Sequence, residues 1–150
     1  AVIGSEPQIY FYSDRHSATG HIYTYALMET HPYALSMQKE MIEEIENSKP
    51  KILVFVNIRT SWLARKNSER LIFDWFRNYS QQHYELAGVV DIGDKETNYR
   101  WNEDVIGYRI RSPYFFFKSA STSTFNGAPR SSALSNTPRL LSSSSRPRCV

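Results

Sequence analysis

Lys51-Ile-Leu-Val-Phe-Val-Asn-Ile58 is the stretch on which the fold turns. It is apolar from Ile52 to Val56, β-branched at Ile52, Val54 and Val56, and free of Gly and Pro. A strand that is apolar at every position must be covered on both faces. This predicts a central, parallel strand with helices above and below it. Directly after it come Arg59-Thr60-Ser61-Trp62, at the carboxyl end of the strand, where open α/β sheets place their ligands.

Working outward, a helical period lies on each side. Before the strand, Ala34, Met37, Met41 and Ile45 recur at three- and four-residue steps, joined by Leu35 and Ile42. The other face carries Lys39, Glu40, Glu43, Glu44 and Glu46 and reads as solvated. Thr30 or His31 is the expected cap, and Lys49-Pro50 ends the helix because a residue before proline avoids the helical region. After the strand, Asn67-Ser68 is the expected cap of a second helix with the stripe Ile72, Trp75, Phe76, Tyr79 and His83.

Farther out, Ala1-Val2-Ile3 reads as the end of a strand and Ser5-Glu6-Pro7-Gln8 as a capping box opening a short helix to Tyr12. His21 to Leu27 alternates like a strand. Tyr84 to Ile92 is expected to be parallel and beside the central strand, Glu96 to Trp101 at an edge, and Tyr114 to Lys118 to be the last strand, with an antiparallel return open to it. The predicted fold class is α/β: a Rossmann-like sandwich with a mostly parallel central sheet and antiparallel edge strands.

The chain has 150 residues, which suits one domain, and a net charge of +3. That charge is unevenly placed. Residues 119–150 hold four Arg and no acid, which leaves residues 1–118 at 14 − 15 = −1. A nearly neutral folded part argues against a nucleic-acid partner. In residues 119–150, thirteen of 32 are Ser or Thr, three are Pro, and the apolar residues are scattered. Such a segment buries too little apolar surface to offset its ordering entropy and is predicted to be a disordered tail. Cys149 is the only cysteine, so neither an intrachain disulfide nor a zinc cluster is expected. No apolar run reaches the roughly 18 residues of a membrane span. The chain starts without Met, inside an apolar run, and reads as part of a longer protein.

The local constellations are weak. Gly4-Ser5 lacks the spacing of a dinucleotide loop, so a capped turn is favoured over a phosphate cradle. Asp14-Arg15-His16 with His21 is more simply a solvated loop than an acid/base group. Asp91, Asp94 and Glu96 lack the glycine and distal glutamate of a calcium loop. Tyr10, Tyr12, Tyr23 and Tyr25 suit core or half-buried positions, with a sugar or membrane surface as the alternative. No catalytic residue, metal site or cofactor is assigned. The candidate substrate- or partner-binding residues are Asn57, Arg59, Thr60, Ser61 and Trp62. They offer a cation, two hydroxyls and an aromatic plane.

Several segments taken together carry a family resemblance. Val2-Ile-Gly-Ser-Glu-Pro-Gln-Ile-Tyr-Phe-Tyr-Ser-Asp-Arg15, Ser17-Ala-Thr-Gly-His-Ile-Tyr-Thr-Tyr25, Lys49-Pro-Lys-Ile-Leu-Val-Phe-Val-Asn57 and Thr60-Ser-Trp62 resemble the soluble C-terminal domain of bacterial polytopic membrane glycosyltransferases. These are the enzymes similar to protein O-mannosyltransferases and to the aminoarabinose transferase of lipid A. The likeness covers residues 1–118. It implies an inner-membrane enzyme that passes a sugar from a polyprenyl-phosphate carrier to a lipid, glycan or protein acceptor. This domain would lie on the periplasmic side, with the membrane domain of the same polypeptide and the lipid-linked sugar as partners. The catalytic acid of such enzymes lies in an early membrane loop, so none is carried over and the fragment is expected to be inactive alone. The residues by themselves leave open a free-standing α/β module for a small molecule or anion, or an interaction domain without ligand.

The composition break generates the first prediction. Limited proteolysis should trim the chain to a stable core ending near Lys118, read by mass spectrometry. A tail as resistant as the central strand would contradict it.

Overall fold

The computed structural model describes residues 1–93, 95–108 and, as a strand, 113–119. The protein is mixed α/β. The chain runs β1 (Val2–Ile3), α1 (Gln8–Ser13), α2 (Tyr25–Met28), α3 (Ala34–Ser48), β2 (Ile52–Val56), α4 (Arg59–Trp62), α5 (Leu71–His83), β3 (Tyr84–Ile92), β4 (Thr97–Trp101), a 3-10 turn (Asn102–Val105) and β5 (Pro113–Ser119). The five strands lie in the order β1-β2-β5-β3-β4.

β2 is covered on both faces from Leu53 to Val56, while Ile52 at its start is exposed. Leu53 and Phe55 join Ile3 beneath Met41 and Ile45 of α3 and Ile72, Phe73 and Phe76 of α5. Val54 and Val56 point the other way, with Val2, and pack on Ile9 and Tyr10 of α1. The parallel register Val2↔Val54 and Ile3↔Phe55 keeps the two sets in step. Burying four consecutive side chains of β2 contributes roughly 1.5–3 kcal/mol for each large one relative to exposure.

The expectation of a mostly parallel sheet is corrected. Among the described residues only β1 and β2 pair in parallel, while β2–β5, β5–β3 and β3–β4 are antiparallel. The strand over Tyr84–Ile92 does not lie beside β2, because β5 returns between them. A fully apolar strand reports that both its faces are buried; it carries no record of which way its neighbours run. β4 is at the edge, as expected. At its end Trp101 lies opposite Gly88, where a Cβ would come within 2.1 Å of the indole.

His21–Leu27 is not a strand. The chain is irregular to Thr24 and then turns once as α2. Leu27 and Met28 are both buried, and an alternating strand cannot bury two adjacent residues on one face. This segment is tied to α3 by Glu44, which accepts from Gly20 N at 3.0 Å, and by Glu40 at 3.3 Å from His21 Nε2. The acidic face of α3 is therefore partly used for anchoring.

Both long helices start later than their expected caps. His31 accepts from Tyr33 N at 3.1 Å, and α3 begins at Ala34. Ser68 Oγ accepts from Arg65 N and donates to Met28 O, so it serves the preceding loop instead of α5. The start of α5 is served by Gln38 of α3, whose side chain is wholly buried. Gln38 Oε1 accepts from Ile72 N at 3.0 Å, while its Nε2 donates to Leu27 O at 2.8 Å and Glu69 O at 3.1 Å. One amide thus joins α2, α3 and α5. The predicted boundary at Lys118 falls one residue before the end of β5, and residues 120–150 lie outside the described residues.

Replacing Gln38 with Ala should remove three hydrogen bonds and strand buried backbone groups. We expect a loss of about 3 kcal/mol in urea unfolding. A change within half of one kcal/mol would show that the joint is dispensable.

Candidate functional site

The predicted site lies where β1 and β2 end side by side. Gly4 leaves β1 with φ +152°, and a Cβ there would come within 2.6 Å of Val56 Cβ and 2.8 Å of Ser61 Oγ. Only glycine lets the backbone lie this close to the end of β2. Ser5 N then donates to Ser61 Oγ at 2.8 Å, and Ser61 Oγ donates to Glu6 Oε2 at 2.6 Å. Thr24 enters from the third side: its N–H donates to Ser5 Oγ at 2.9 Å, and its hydroxyl donates to Ser61 O at 3.0 Å. With the Thr24 proton so used, Ser5 must be the donor across the 3.0 Å contact between the two hydroxyls. Ser5, Thr24 and Ser61 are all buried.

This arrangement explains why the expected capping box does not form. Ser5 Oγ turns inward to Thr24, and α1 has no side-chain cap. It also fills the candidate phosphate cradle: the Ser5 N–H is bonded within the chain, and a carboxylate stands beside the hydroxyl that accepts it. Burial pushes the Glu6 carboxyl above the ordinary carboxylate range, opposed by the hydrogen bonds from Ser61 and from the Ser5 backbone.

The five predicted site residues divide. Trp62 is 5% exposed, lies 4.5 Å from Phe73 between ring centroids, and donates its Nε1–H to Val56 O at 2.7 Å. It is core and has no face for a sugar ring. Ser61 is 1% exposed and held in the hydrogen-bond cluster. Asn57 is half-buried, and Arg59 and Thr60 are exposed on the one-turn α4. Beyond them Leu63 is 57% exposed at φ +50°, a left-handed conformation that is uncommon for a residue with a Cβ. What reaches solvent is therefore Arg59, Thr60 and Leu63, on a base made by Ser61 and Trp62. Ser5, Glu6 and Thr24 belong to that base but carry no local signal that joins them; only the tertiary approach at Gly4 does.

The other sequence constellations separate. His21 turns to Glu40, while Asp14, Arg15 and His16 are exposed. Asp91 is buried and accepts from Tyr108 OH at 3.1 Å. Among the described residues no group of three His, Cys, Asp or Glu could hold a metal ion. Tyr10 is structural, its oxygen accepting from Val2 N at 2.7 Å and Ser17 Oγ at 3.1 Å. Tyr23 and Tyr25 stack at 6.0 Å on the surface, on either side of Thr24.

The raised Glu6 value sets a pH dependence. The folded protein holds the Glu6 proton more tightly than the unfolded chain does. Ionising Glu6 therefore costs stability, in full above the folded value; the cost is relieved as pH falls from that value to the ordinary 4.5 and is absent below it. Glu6→Gln should be the more stable protein at neutral pH, with the difference vanishing on acidification. Thermal melts of both proteins against pH check this, and a constant difference would contradict it. The reading of this site rests on its geometry alone, for no protein-family model, no curated protein and no solved structure matches the chain.

Proposed function

We propose that this chain is the extracytoplasmic accessory domain of a membrane glycosyltransferase that moves a sugar from a polyprenyl-phosphate carrier to a lipid, glycan or protein acceptor. One observation carries the reading. The segments on which the sequence resemblance rests are far apart in the chain, yet three of them meet at one point. Ser5, Thr24 and Ser61 come from three separate segments and bond to one another. Motifs that converge on a structural joint suit a domain whose task is positional, with the chemistry located elsewhere in the parent enzyme. The Rossmann-like plan belongs to the same proposal. β1, β2 and β3 run in one direction, with α1 on one face and α3 and α5 on the other.

In this reading the exposed crest of Arg59, Thr60 and Leu63 faces the membrane domain and frames the lipid-linked donor. Arg59 suits a phosphate, and Leu63 presents an apolar side chain outward. No described helix is long and apolar enough to cross a membrane. The spans would lie upstream, as about ten apolar segments of roughly 20 residues.

Reading the gene upstream of Ala1 tests the proposal directly, and an upstream sequence without such spans would overturn it. In the full-length enzyme, Arg59→Ala with Thr60→Ala should lower kcat/KM for the lipid-linked donor by about tenfold. The melting temperature of the domain should not change, because both side chains are exposed. Full activity at limiting donor would remove the crest from the mechanism.

A further inference from the structure

A second feature lies away from this crest, where α3 and α5 both end. Glu46 and Lys49 from the end of α3, Trp75, Asn78, Tyr79, Gln82 and His83 from α5, and Tyr84 at the start of β3 line an open groove of about 650 Å³. That volume is within the range of roughly 300–1,000 Å³ of small-molecule sites. We infer that this groove binds a saccharide, with the Trp75–Tyr79 aromatic pair as its apolar wall and the flanking carboxylate, amides and imidazole as its hydroxyl partners.

The wall is built before any ligand arrives. Trp75 and Tyr79 are one helical turn apart and stack at 4.9 Å with their planes 19° from parallel. His83 continues the ladder one turn on, 4.7 Å from Tyr79. Trp75 Nε1 donates to Glu46 Oε1 at 2.7 Å, which fixes the indole and the carboxylate together across the two helices. Tyr84 OH donates to Pro50 O at 2.7 Å and locks the base. Trp75 and Tyr79 are only partly buried and pack on the core from its rim. They therefore leave part of their ring surface to solvent from rotamers that are already ordered. Asn78 and Gln82 stand one turn apart beside this ladder, both exposed, and each amide offers donors and an acceptor.

The mixture selects the ligand class. A purely apolar ligand would have to desolvate Glu46, Asn78, Gln82 and His83 without return. A phosphate would meet Glu46 opposite Lys49, with near cancellation of charge. A pyranose has an apolar face of C–H groups and a rim of hydroxyls that both donate and accept, which matches exposed aromatic surface beside a carboxylate and two amides. This inference stands apart from the membrane-enzyme reading, since it does not use Arg59 or the crest at the end of β2, and of the motif segments it takes only Lys49 and Pro50.

The test uses the full 150-residue chain. A printed array of neutral, amino and acidic oligosaccharides is screened first. Maltose, cellobiose and chitobiose are then titrated by nitrogen–proton NMR, together with the best array ligand. The expected result is a millimolar or tighter ligand that shifts the Trp75 indole and the amides of residues 78–83. Asn78→Ala with Gln82→Ala should weaken it by about tenfold without changing the melting temperature, because both side chains are exposed. Trp75→Phe, which keeps a ring but loses the donor to Glu46, should also weaken it. An array with no ligand and no indole shift at saturating disaccharide would overturn the inference. So would shifts that survive the double substitution unchanged.

Discussion

The fold depends on one close approach. At Gly4 the chain leaves β1 with its backbone against Val56, where any side chain would collide. That approach brings Ser5 N within 2.8 Å of Ser61 Oγ, and everything around the end of the sheet follows from it. Ser61 is fixed at both its side chain and its carbonyl, so α4 has only one orientation. With α4 fixed, Trp62 is delivered to Val56 O and to the ring of Phe73. Thr24 brings the loop after α1 to the same point, and Leu27 and Met28 then enter the core behind it.

Polar joints of this kind are costly unless complete, since a buried hydroxyl or amide without a partner loses the hydrogen bonds it had in water. Here they are complete: no buried side-chain nitrogen or oxygen among the described residues lacks a partner. Two joints divide the work. The serine–threonine cluster sets where β1, the loop and α4 meet, and Gln38 sets where α2, α3 and α5 meet. The apolar clusters on the two faces of β2 supply the driving force but are tolerant of small shifts. The hydrogen bonds fix the geometry, because each has a narrow range of distance and angle.

This division explains what could be read in the sequence. α3 and α5 were legible because burial imposes a period of 3.6 residues on a helix, and β2 because burial on both faces leaves a strand apolar at every position. The joints were not, because a hydrogen bond between Ser5 and Thr24 leaves no periodic trace. The alternation from His21 to Leu27 misled for the same reason: Thr24 is buried by its partners, whereas Tyr23 and Tyr25 are exposed and stack on each other. The antiparallel return of β5 was anticipated, but its place between β2 and β3 was hidden, since that depends on the connection and not on the strand's own residues. Of the candidate site, its location at the end of β2 was legible, and Arg59 and Thr60 are its exposed members. The two most chemically suggestive residues, Ser61 and Trp62, proved to be its foundation.

The α5 stripe carries the same lesson in the opposite direction. Ile72, Trp75, Phe76, Tyr79 and His83 read as one core-facing stripe, but the core proper takes Ile72, Phe73 and Phe76. The structure turns the stripe by about one position, which leaves Trp75, Tyr79 and His83 on its rim. Trp75 and Tyr79 pack on that core yet stay partly exposed, and an exposed carboxylate is held against the indole at the rim. Side chains that are already ordered lose less entropy on meeting a ligand, and these, unlike the core rings, also reach solvent, which makes the rim of α5 the better candidate for recognition.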